Sequence, residues 1–210
     1  MRSGGAGAAF PEVDEPVQIG VFGGTFDPPH VGHLVVAREA LEQLDLDAVW
    51  FVPACRSPFK TENESSPPEV RLEMVTRAIR DDVGFQVSRI EVDRDPPSYM
   101  VDTLRLLAAD EPAAEWTLLL GADQWTSFDQ WRDSSGIAAQ ARIAVMARDG
   151  IDLSRAPAAD AVPWIEVPVS RIDISSSTVR ERVATGRSVR HMIPEAVRAF
   201  IESKELYTSC

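Results

Sequence analysis

Residues 23–33 read Gly23-Gly24-Thr25-Phe26-Asp27-Pro28-Pro29-His30-Val31-Gly32-His33, directly after the apolar run 18–22. This order predicts a buried strand, a glycine turn and then a helix with two histidines one turn apart. Glycines lack a Cβ and let the backbone approach a ligand closely, and a helix N-terminus attracts anions. The stretch therefore predicts a phosphate-binding turn at the end of the first strand. It matches neither the dinucleotide G-x-G-x-x-G pattern nor the G-x-x-x-x-G-K-[ST] phosphate loop.

The start of the first helix is predicted from Asp27, which can cap free amides, and from Pro28, which loses no hydrogen bond at the first helical position. The buried stripe of this helix is marked by apolar residues at steps of three and four, namely Leu34, Ala37, Leu41 and Leu44. Continued backwards, the stripe passes through His30 and His33, so both imidazoles are expected to face the sheet. The alternative is that they are core histidines beside a glycine turn.

Short β-branched or aromatic runs alternate with helical patterns along the rest of the chain. The predicted strands are residues 18–22, 48–53, 85–87, 116–120, 142–146 and 165–167. The predicted helices are residues 31–44, 68–80, 98–109, 123–131, 176–185 and 194–202. This alternation predicts an α/β fold, a Rossmann-like doubly wound parallel sheet with helices on both faces. In such sheets, ligands bind beyond the carboxyl ends of the strands.

Composition narrows the class of protein further. The chain has 210 residues, of which 44% are hydrophobic, and a net charge of −12. It is long enough for one domain at residues 17–210, after a flexible N-terminal extension at residues 1–16. The negative charge argues against nucleic acid as a partner, and the apolar runs are too short to span a membrane. No signal-peptide pattern is visible in the extension, so we expect a cytoplasmic protein.

A second motif lies near the other end and reads Ile174-Ser175-Ser176-Ser177-Thr178-Val179-Arg180. Ser176 and Ser177 are expected at a helix start, where hydroxyl groups can cap the helix or bind an anion. Arg180 follows about one turn later, and its guanidinium can form paired hydrogen bonds with phosphate oxygens. Taken alone, the motif also fits a capped surface helix with an exposed arginine.

Together the two motifs resemble the nucleotidyltransferase superfamily that shares an H-x-G-H element with class I aminoacyl-tRNA synthetases. The second motif is similar to its I-S-S-T-x-x-R element, with Ser177 where threonine is usual. The middle of the chain resembles bacterial nicotinate-nucleotide adenylyltransferases in three segments: Ser98-Tyr99-Met100-Val101-Asp102-Thr103-Leu104, Gly121-Ala122-Asp123 with Phe128 and Trp131, and Arg148-Asp149-Gly150. The ending Leu206-Tyr207 also fits, so the resemblance runs from about Gly20 to Tyr207.

This resemblance implies adenylyl transfer from ATP to nicotinate mononucleotide, with Mg²⁺ accompanying ATP and with no assignment of oligomeric state. The residues implied in catalysis are His30, His33 and Arg180. Those implied in ATP binding are Gly23, Gly24, Thr25, Phe26, His30, His33, Gly121, Asp123, Ser176, Ser177 and Arg180. Those implied in binding the second substrate are Lys60, Tyr99, Val101, Thr103, Trp131, Arg132 and Arg148. Trp131 offers a flat face for a pyridine ring, whose carboxylate the backbone amides of Val101 and Arg132 can receive.

Two departures from the family pattern are visible, and several alternatives stay open. Met100 stands where threonine is usual, and Lys60 follows Ser57-Pro58-Phe59 where the family has Pro-Pro-His before this lysine. Pantetheine-phosphate adenylyltransferases and cytidylyltransferases for small phosphates share the end motifs, and a catalytically silent nucleotide sensor would keep the same fold. Single residues also have simpler interpretations. Trp131 fits a core aromatic, and Tyr99 and Thr103 fit helix packing. Asp123 fits a helix cap, and Lys60 fits a solvated surface lysine.

Overall fold

The computed structural model describes residues 16–55, 65–147 and 152–208. Within these ranges, six parallel strands form one sheet: β1 (Val17–Gly24), β2 (Ala48–Pro53), β3 (Phe85–Val87), β4 (Ala114–Gly121), β5 (Arg142–Ala147) and β6 (Trp164–Pro168). Their order is β3-β2-β1-β4-β5-β6, so the chain winds outward in both directions from the central pair β1 and β4. The predicted fold class is confirmed. Open sheets of this order bind ligands at the carboxyl ends of the central strands, where the winding direction reverses.

Seven α-helices connect and cover the described strands: α1 (Val31–Gln43), α2 (Pro68–Ile79), α3 (Met100–Asp110), α4 (Ala122–Trp125), α5 (Ser134–Gln140), α6 (Ser176–Ala184) and α7 (Glu195–Ser203). Five of them lie close to predicted helices. No helix among the described residues is long and apolar enough to cross a membrane. The predicted extension at residues 1–16 lies, except for its last residue, outside the described ranges.

The core consists of two apolar layers, one on each face of the sheet. Val21 and Phe22 are neighbours on β1 but belong to opposite layers, because successive side chains of a strand point to opposite faces. Phe22 packs with Phe51 at a centroid distance of 5.4 Å in the layer covered by α1, α2 and α7. Val21 lies in the other layer, under α3, α4 and α5. Burial on both faces explains why the central strands are continuous apolar runs.

The predicted helix at residues 123–131 is wrong. α4 ends at Trp125, and a separate 3-10 turn covers Phe128–Gln130. The hydroxyls of Thr126 and Ser127 donate to the carbonyls of Asp123 and Gln124, so these side chains compete with continuation of the helix. Helix α5 was not predicted from the sequence, although Asp133 gives a cap signal for it. The Asp133 carboxylate accepts from the Gly136 amide.

The predicted role of Asp27 as a helix cap is also wrong. α1 begins at Val31 with His30 as its N-cap residue, three residues later than Asp27 and Pro28 suggested. The Asp27 side chain is buried and bonded elsewhere, since it accepts from the Ser66 amide at 2.9 Å and from the Tyr207 hydroxyl at 2.5 Å. Because both oxygens of the Asp27 carboxylate accept hydrogen bonds from these two residues, the side chain does not cap α1.

Candidate functional site

The two sequence motifs meet at the β1–α1 loop, which comprises residues 25–30. Arg180 Nη1 donates to the Asp27 carbonyl oxygen at 2.7 Å, across 153 residues of sequence. Ser176 Oγ donates to the Pro28 carbonyl oxygen at 2.8 Å, across 148 residues. These two hydrogen bonds hold the start of α6 against the loop that ends at His30 and leads into α1, where His33 lies. The geometry therefore brings His30, His33, Ser176 and Arg180 into one region of the molecule.

The two histidines form a stacked pair at the start of α1. Their ring centroids are 3.7 Å apart with an interplanar angle of 25°. His33 Nδ1 accepts a hydrogen bond from the His30 backbone amide at 3.2 Å. In a neutral imidazole whose Nδ1 accepts, the proton resides on Nε2, so His33 presents Nε2–H as a donor. The His33 ring also meets the edge of Phe26 at 5.1 Å, which fixes its plane.

Phe26 itself is a packing residue of the loop. Its side chain is buried in the core beside Phe22 and Phe51, at centroid distances of 5.6 Å from each. A Cβ placed on Gly24 would lie 2.8 Å from the Phe26 ring, so only glycine fits at the end of β1. On the other face, a Cβ on Gly23 would lie 2.8 Å from the end of the Met100 side chain. The two glycines therefore make room for the side chains of Phe26 and Met100, in addition to the room expected for a ligand.

A buried arginine, which the sequence analysis did not single out, anchors the same loop. Arg71 on α2 is 1% exposed and donates to the carbonyl oxygens of Thr25, Cys55 and Ser66 at 2.8–2.9 Å. Burial lowers its pKa, but a guanidinium stays charged at neutral pH. The three acceptors come from separate segments, so one side chain ties them together. An arginine at an otherwise apolar face of a helix was the available signal.

Tyr207 completes this anchor from the C-terminal side. Its hydroxyl bonds to the Asp27 carboxylate, and burial raises the pKa of the phenol, with the Asp27 charge acting in the same direction. The phenol therefore stays protonated and donates at any physiological pH. The family resemblance included Tyr207, and the structure shows a physical reason for a tyrosine there.

A cavity of about 580 Å³ opens at the carboxyl ends of β1 and β4, next to the β1–α1 loop. The predicted site residues that line it are Gly23, Gly24, Thr25, Tyr99, Asp123, Trp131 and Arg132. The wall is mostly apolar and also contains Met100 and residues 118–120 of β4. Trp131 contributes to this wall and packs against Phe128 at 5.5 Å. The cavity can hold a molecule of nucleotide size with an aromatic wall beside it.

Other predicted residues lie outside this wall. Thr103 is buried, and its hydroxyl donates to Glu91 Oε1 at 2.6 Å. The Val101 side chain lies in the core, which leaves its backbone amide, in the first turn of α3, as the group to bind a ligand. Gly121 donates its amide to Gln124 Oε1 at 3.1 Å, and Ser177 Oγ lies 2.9 Å from Ser175 Oγ. Lys60 and Arg148 lie outside the described residues.

Glu91 is a second polar residue that sequence reasoning missed. It lines the cavity but is 3% exposed, and burial raises the pKa of its carboxyl, opposed by hydrogen bonds from Thr103 and Ser98. Arg94 Nη2 donates to the Thr103 hydroxyl at 3.3 Å, so the group forms a short chain of polar contacts behind the cavity wall. The sequence signal for Glu91 was its position between two apolar residues, Ile90 and Val92.

Comparisons with known proteins agree with this architecture. Residues 21–182 match the cytidylyltransferase-like family. The probable nicotinate-nucleotide adenylyltransferase of Exiguobacterium sibiricum is 42% identical over 195 residues, which is 92% of this chain and all of that protein. A probable nicotinate-nucleotide adenylyltransferase of Thermus thermophilus is 41% identical over 191 residues, 91% of this chain and all of that protein.

A solved structure shows the same fold at lower sequence identity. Plasmodium falciparum nicotinic acid mononucleotide adenylyltransferase complexed with NaAD superposes with a TM-score of 0.74 at 18% identity. The match covers 90% of this chain and 97% of the other. At that identity the likeness supports the fold, whereas the bacterial relatives match nearly the whole chain at about 40% identity. The chain belongs to the cytidylyltransferase-like family and, within it, to the nicotinate-nucleotide adenylyltransferases.

Proposed function

We propose that this protein transfers the adenylyl group of ATP to nicotinate mononucleotide. An oxygen of the mononucleotide 5′-phosphate attacks the α-phosphorus of ATP, the bond from that phosphorus to the bridging oxygen breaks, and pyrophosphate leaves. The product is nicotinate adenine dinucleotide. The observation that carries the proposal is the contact of Arg180 and Ser176 with the loop before His30 and His33, beside an aromatic-walled cavity.

The chemistry calls for alignment and charge stabilisation more than for proton transfer. The attacking phosphate is already an anion, so no general base is needed, and catalysis rests on positioned donors around the α-phosphorus. In this proposal His33 Nε2–H and the His30 ring bind the α- and β-phosphates of ATP. Arg180 uses one N–H on the Asp27 carbonyl and has further donors for the leaving pyrophosphate. A fixed arginine needs little reorganisation when charge develops.

Backbone and hydroxyl groups complete the proposed ATP site. Gly23, Gly24 and Thr25 are proposed to contact the nucleotide from the end of β1. The start of α6 at Ser176 and Ser177 is proposed to bind its phosphates. Phe26 holds the loop in place through its packing. Gly121 and Asp123, at the end of β4 and in the first turn of α4, are proposed to contact the nucleoside part of ATP.

The pyridine nucleotide is proposed to occupy the cavity beside Trp131. Trp131 and Tyr99 supply aromatic faces, and the backbone amides of Val101 and Arg132 receive the ring carboxylate. Thr103 acts indirectly, because its hydroxyl is bonded to Glu91. Lys60 and Arg148 are proposed to contact substrate on the grounds of the family pattern alone.

A divalent cation accompanies ATP in this proposal, and we propose Mg²⁺. No group of three or more His, Cys, Asp or Glu side chains among the described residues could hold a metal ion. Magnesium suits phosphate oxygens and water, so it is expected to bind with ATP, and no step above passes through it. A cytoplasmic location, where ATP is available, belongs to the same proposal.

A substrate panel tests the proposed function. Purified protein is incubated with ATP or CTP and with nicotinate mononucleotide or 4′-phosphopantetheine, and pyrophosphate release is measured. We expect release with ATP and nicotinate mononucleotide, and nicotinate adenine dinucleotide as the second product. Release only with phosphopantetheine or with CTP would assign another nucleotidyl transfer, and nucleotide binding without release under any condition would indicate a sensor.

A further inference from the structure

The cavity wall carries more acidic than basic side chains, although the proposed substrates are anions. Among the described residues that line it, Glu91 and Asp123 are acids and Arg132 is the one cation. The whole chain carries a net charge of −12. An anionic group that enters such a cavity needs a local cation, because the remaining field repels it. Among the described lining residues, Arg132 is therefore the side chain that can attract an anionic group to this wall.

The Arg132 guanidinium lies over the aromatic wall. Its Cζ atom is 4.5 Å from the centroid of the Tyr99 ring, and Trp131 is the adjacent residue in sequence. This contact keeps the guanidinium on the aromatic side of the cavity, where the pyridine ring is proposed to bind. Because the side chain is 60% exposed, it stands at the open side of the cavity and can meet an incoming ligand.

Asp102, whose carboxylate lies near Arg132, forms its shorter ion pair with Arg105. Asp102 Oδ1 is 3.0 Å from Arg105 Nη1, whereas Asp102 Oδ2 is 3.9 Å from Arg132 Nη1. The longer distance exceeds hydrogen-bond range. Within the described part of the chain, no hydrogen bond holds the Arg132 guanidinium, so its donors are available to a ligand.

We propose that the Arg132 guanidinium binds the carboxylate of the pyridine ring and thereby selects the acidic mononucleotide over its amide. This inference rests on the proposed function and adds the side chain of Arg132 to the backbone amides proposed above for the ring carboxylate. A guanidinium matches a carboxylate with two parallel charge-assisted hydrogen bonds. A carboxamide is neutral and turns its NH₂ donors toward a group that has only donors, so it forms at most one such bond.

Arg105 offers a matched control. It pairs with the same Asp102 and with Asp133 at 3.3 Å, and it is about as exposed as Arg132, at 56%. It is absent from the described lining of the cavity. Replacing either arginine with glutamine removes one positive charge from the same cluster, but only one replacement removes a cation from the cavity wall.

The experiment measures kcat/KM with ATP for nicotinate mononucleotide and for nicotinamide mononucleotide in wild type, R132Q and R105Q. We expect R132Q to lower the ratio of acid to amide kcat/KM by about tenfold or more, mainly through KM for the acid, and R105Q to leave it unchanged. An equal loss on both substrates would overturn the proposal in favour of a phosphate contact. An unchanged ratio in R132Q, or the same change in R105Q, would also overturn it.

A binding measurement separates this inference from the proposed function. Dissociation constants of the two mononucleotides are measured without ATP, through the fluorescence of Trp131 and the other tryptophans. A weaker affinity for the acid alone in R132Q supports the carboxylate contact even if no pyrophosphate is released. Pyrophosphate release by wild type together with equal affinities in R132Q and wild type contradicts the contact while leaving the transfer activity in place.

Discussion

Around the β1–α1 loop, polar groups are buried and bonded to partners from distant segments, whereas the cavity wall beside Trp131 is mostly apolar and carries its cation at an exposed position. Arg71 holds the loop through the Thr25 carbonyl, and Tyr207 and the Ser66 amide hold it through the Asp27 carboxylate. At the cavity, Arg132 is held by a ring face and a long ion pair. The β1–α1 loop is therefore held in one conformation, whereas the Arg132 side chain at the cavity wall can bind a ligand.

This difference predicts where mutations act. Changes at the buried anchor should lower stability and activity together, because the loop that carries the histidines loses its support. Changes at the exposed cation should alter substrate preference with little effect on stability, since exposed ion pairs contribute on the order of 0–1 kcal/mol.

Replacing Arg71 with methionine should have the largest effect on stability. The variant leaves the carbonyl oxygens of Thr25, Cys55 and Ser66 without their donor, and we expect the free energy of unfolding to fall by about 3 kcal/mol or more. Urea unfolding followed by circular dichroism measures this loss. R77M on the same helix is the control, since Arg77 is 42% exposed and pairs with Glu73, and it should lose about 1 kcal/mol or less. Equal losses in the two variants would contradict an anchoring role for Arg71.

Replacing His33 with alanine should affect turnover more than folding. Loss of a positioned donor at the reacting phosphate is expected to lower kcat by about 100-fold, while the circular dichroism spectrum stays that of wild type. The third histidine gives the control: His191 is exposed and has a positive φ of 67°, which asparagine tolerates. H191N should keep wild-type kcat. An unchanged kcat in H33A would remove the histidine pair from the mechanism.

Replacing Glu91 with glutamine should have a smaller effect that depends on pH. Burial raises the pKa of Glu91 in the folded protein above the value of 4.5 for the free side chain, so the folded state holds this proton more tightly. The contribution of Glu91 to stability is therefore fully present below pH 4.5 and is lost as pH rises through the folded pKa. Glutamine does not titrate, so E91Q should gain stability relative to wild type as the pH rises above 4.5. Urea unfolding across this range measures the difference, and a constant difference would contradict it.

The strands were predictable because each is a short apolar run buried on both faces, a pattern that depends only on local sequence. The prediction failed where side chains changed the local outcome. The hydroxyls of Thr126 and Ser127 donate to carbonyl oxygens of the preceding turn, and α4 ends there. The Asp27 carboxylate accepts a hydrogen bond from Tyr207, which lies 180 residues later. No local pattern shows that pairing.

The candidate site divides in the same way. The glycines, His33 and Arg180 stand in motifs, and the sequence was enough to expect them near phosphates. Arg71 and Glu91 emerge only once the chain is folded, because their importance lies in burial and in bonds to separate segments. Sequence alone suggested a backbone contact at Arg132, while the position of its guanidinium over Tyr99 requires the packed helix α3.

A double-mutant cycle on kcat/KM for ATP tests most directly whether the two ends of the chain bind one triphosphate. The cycle compares H33A, R180M and the double variant, with R182M as the control on α6, since Arg182 donates instead to the Ser188 carbonyl. We predict that the double variant loses less than the product of the single losses, by at least about twofold, and that H33A and R182M combine without coupling. Losses of H33A and R180M that simply multiply would contradict a shared site.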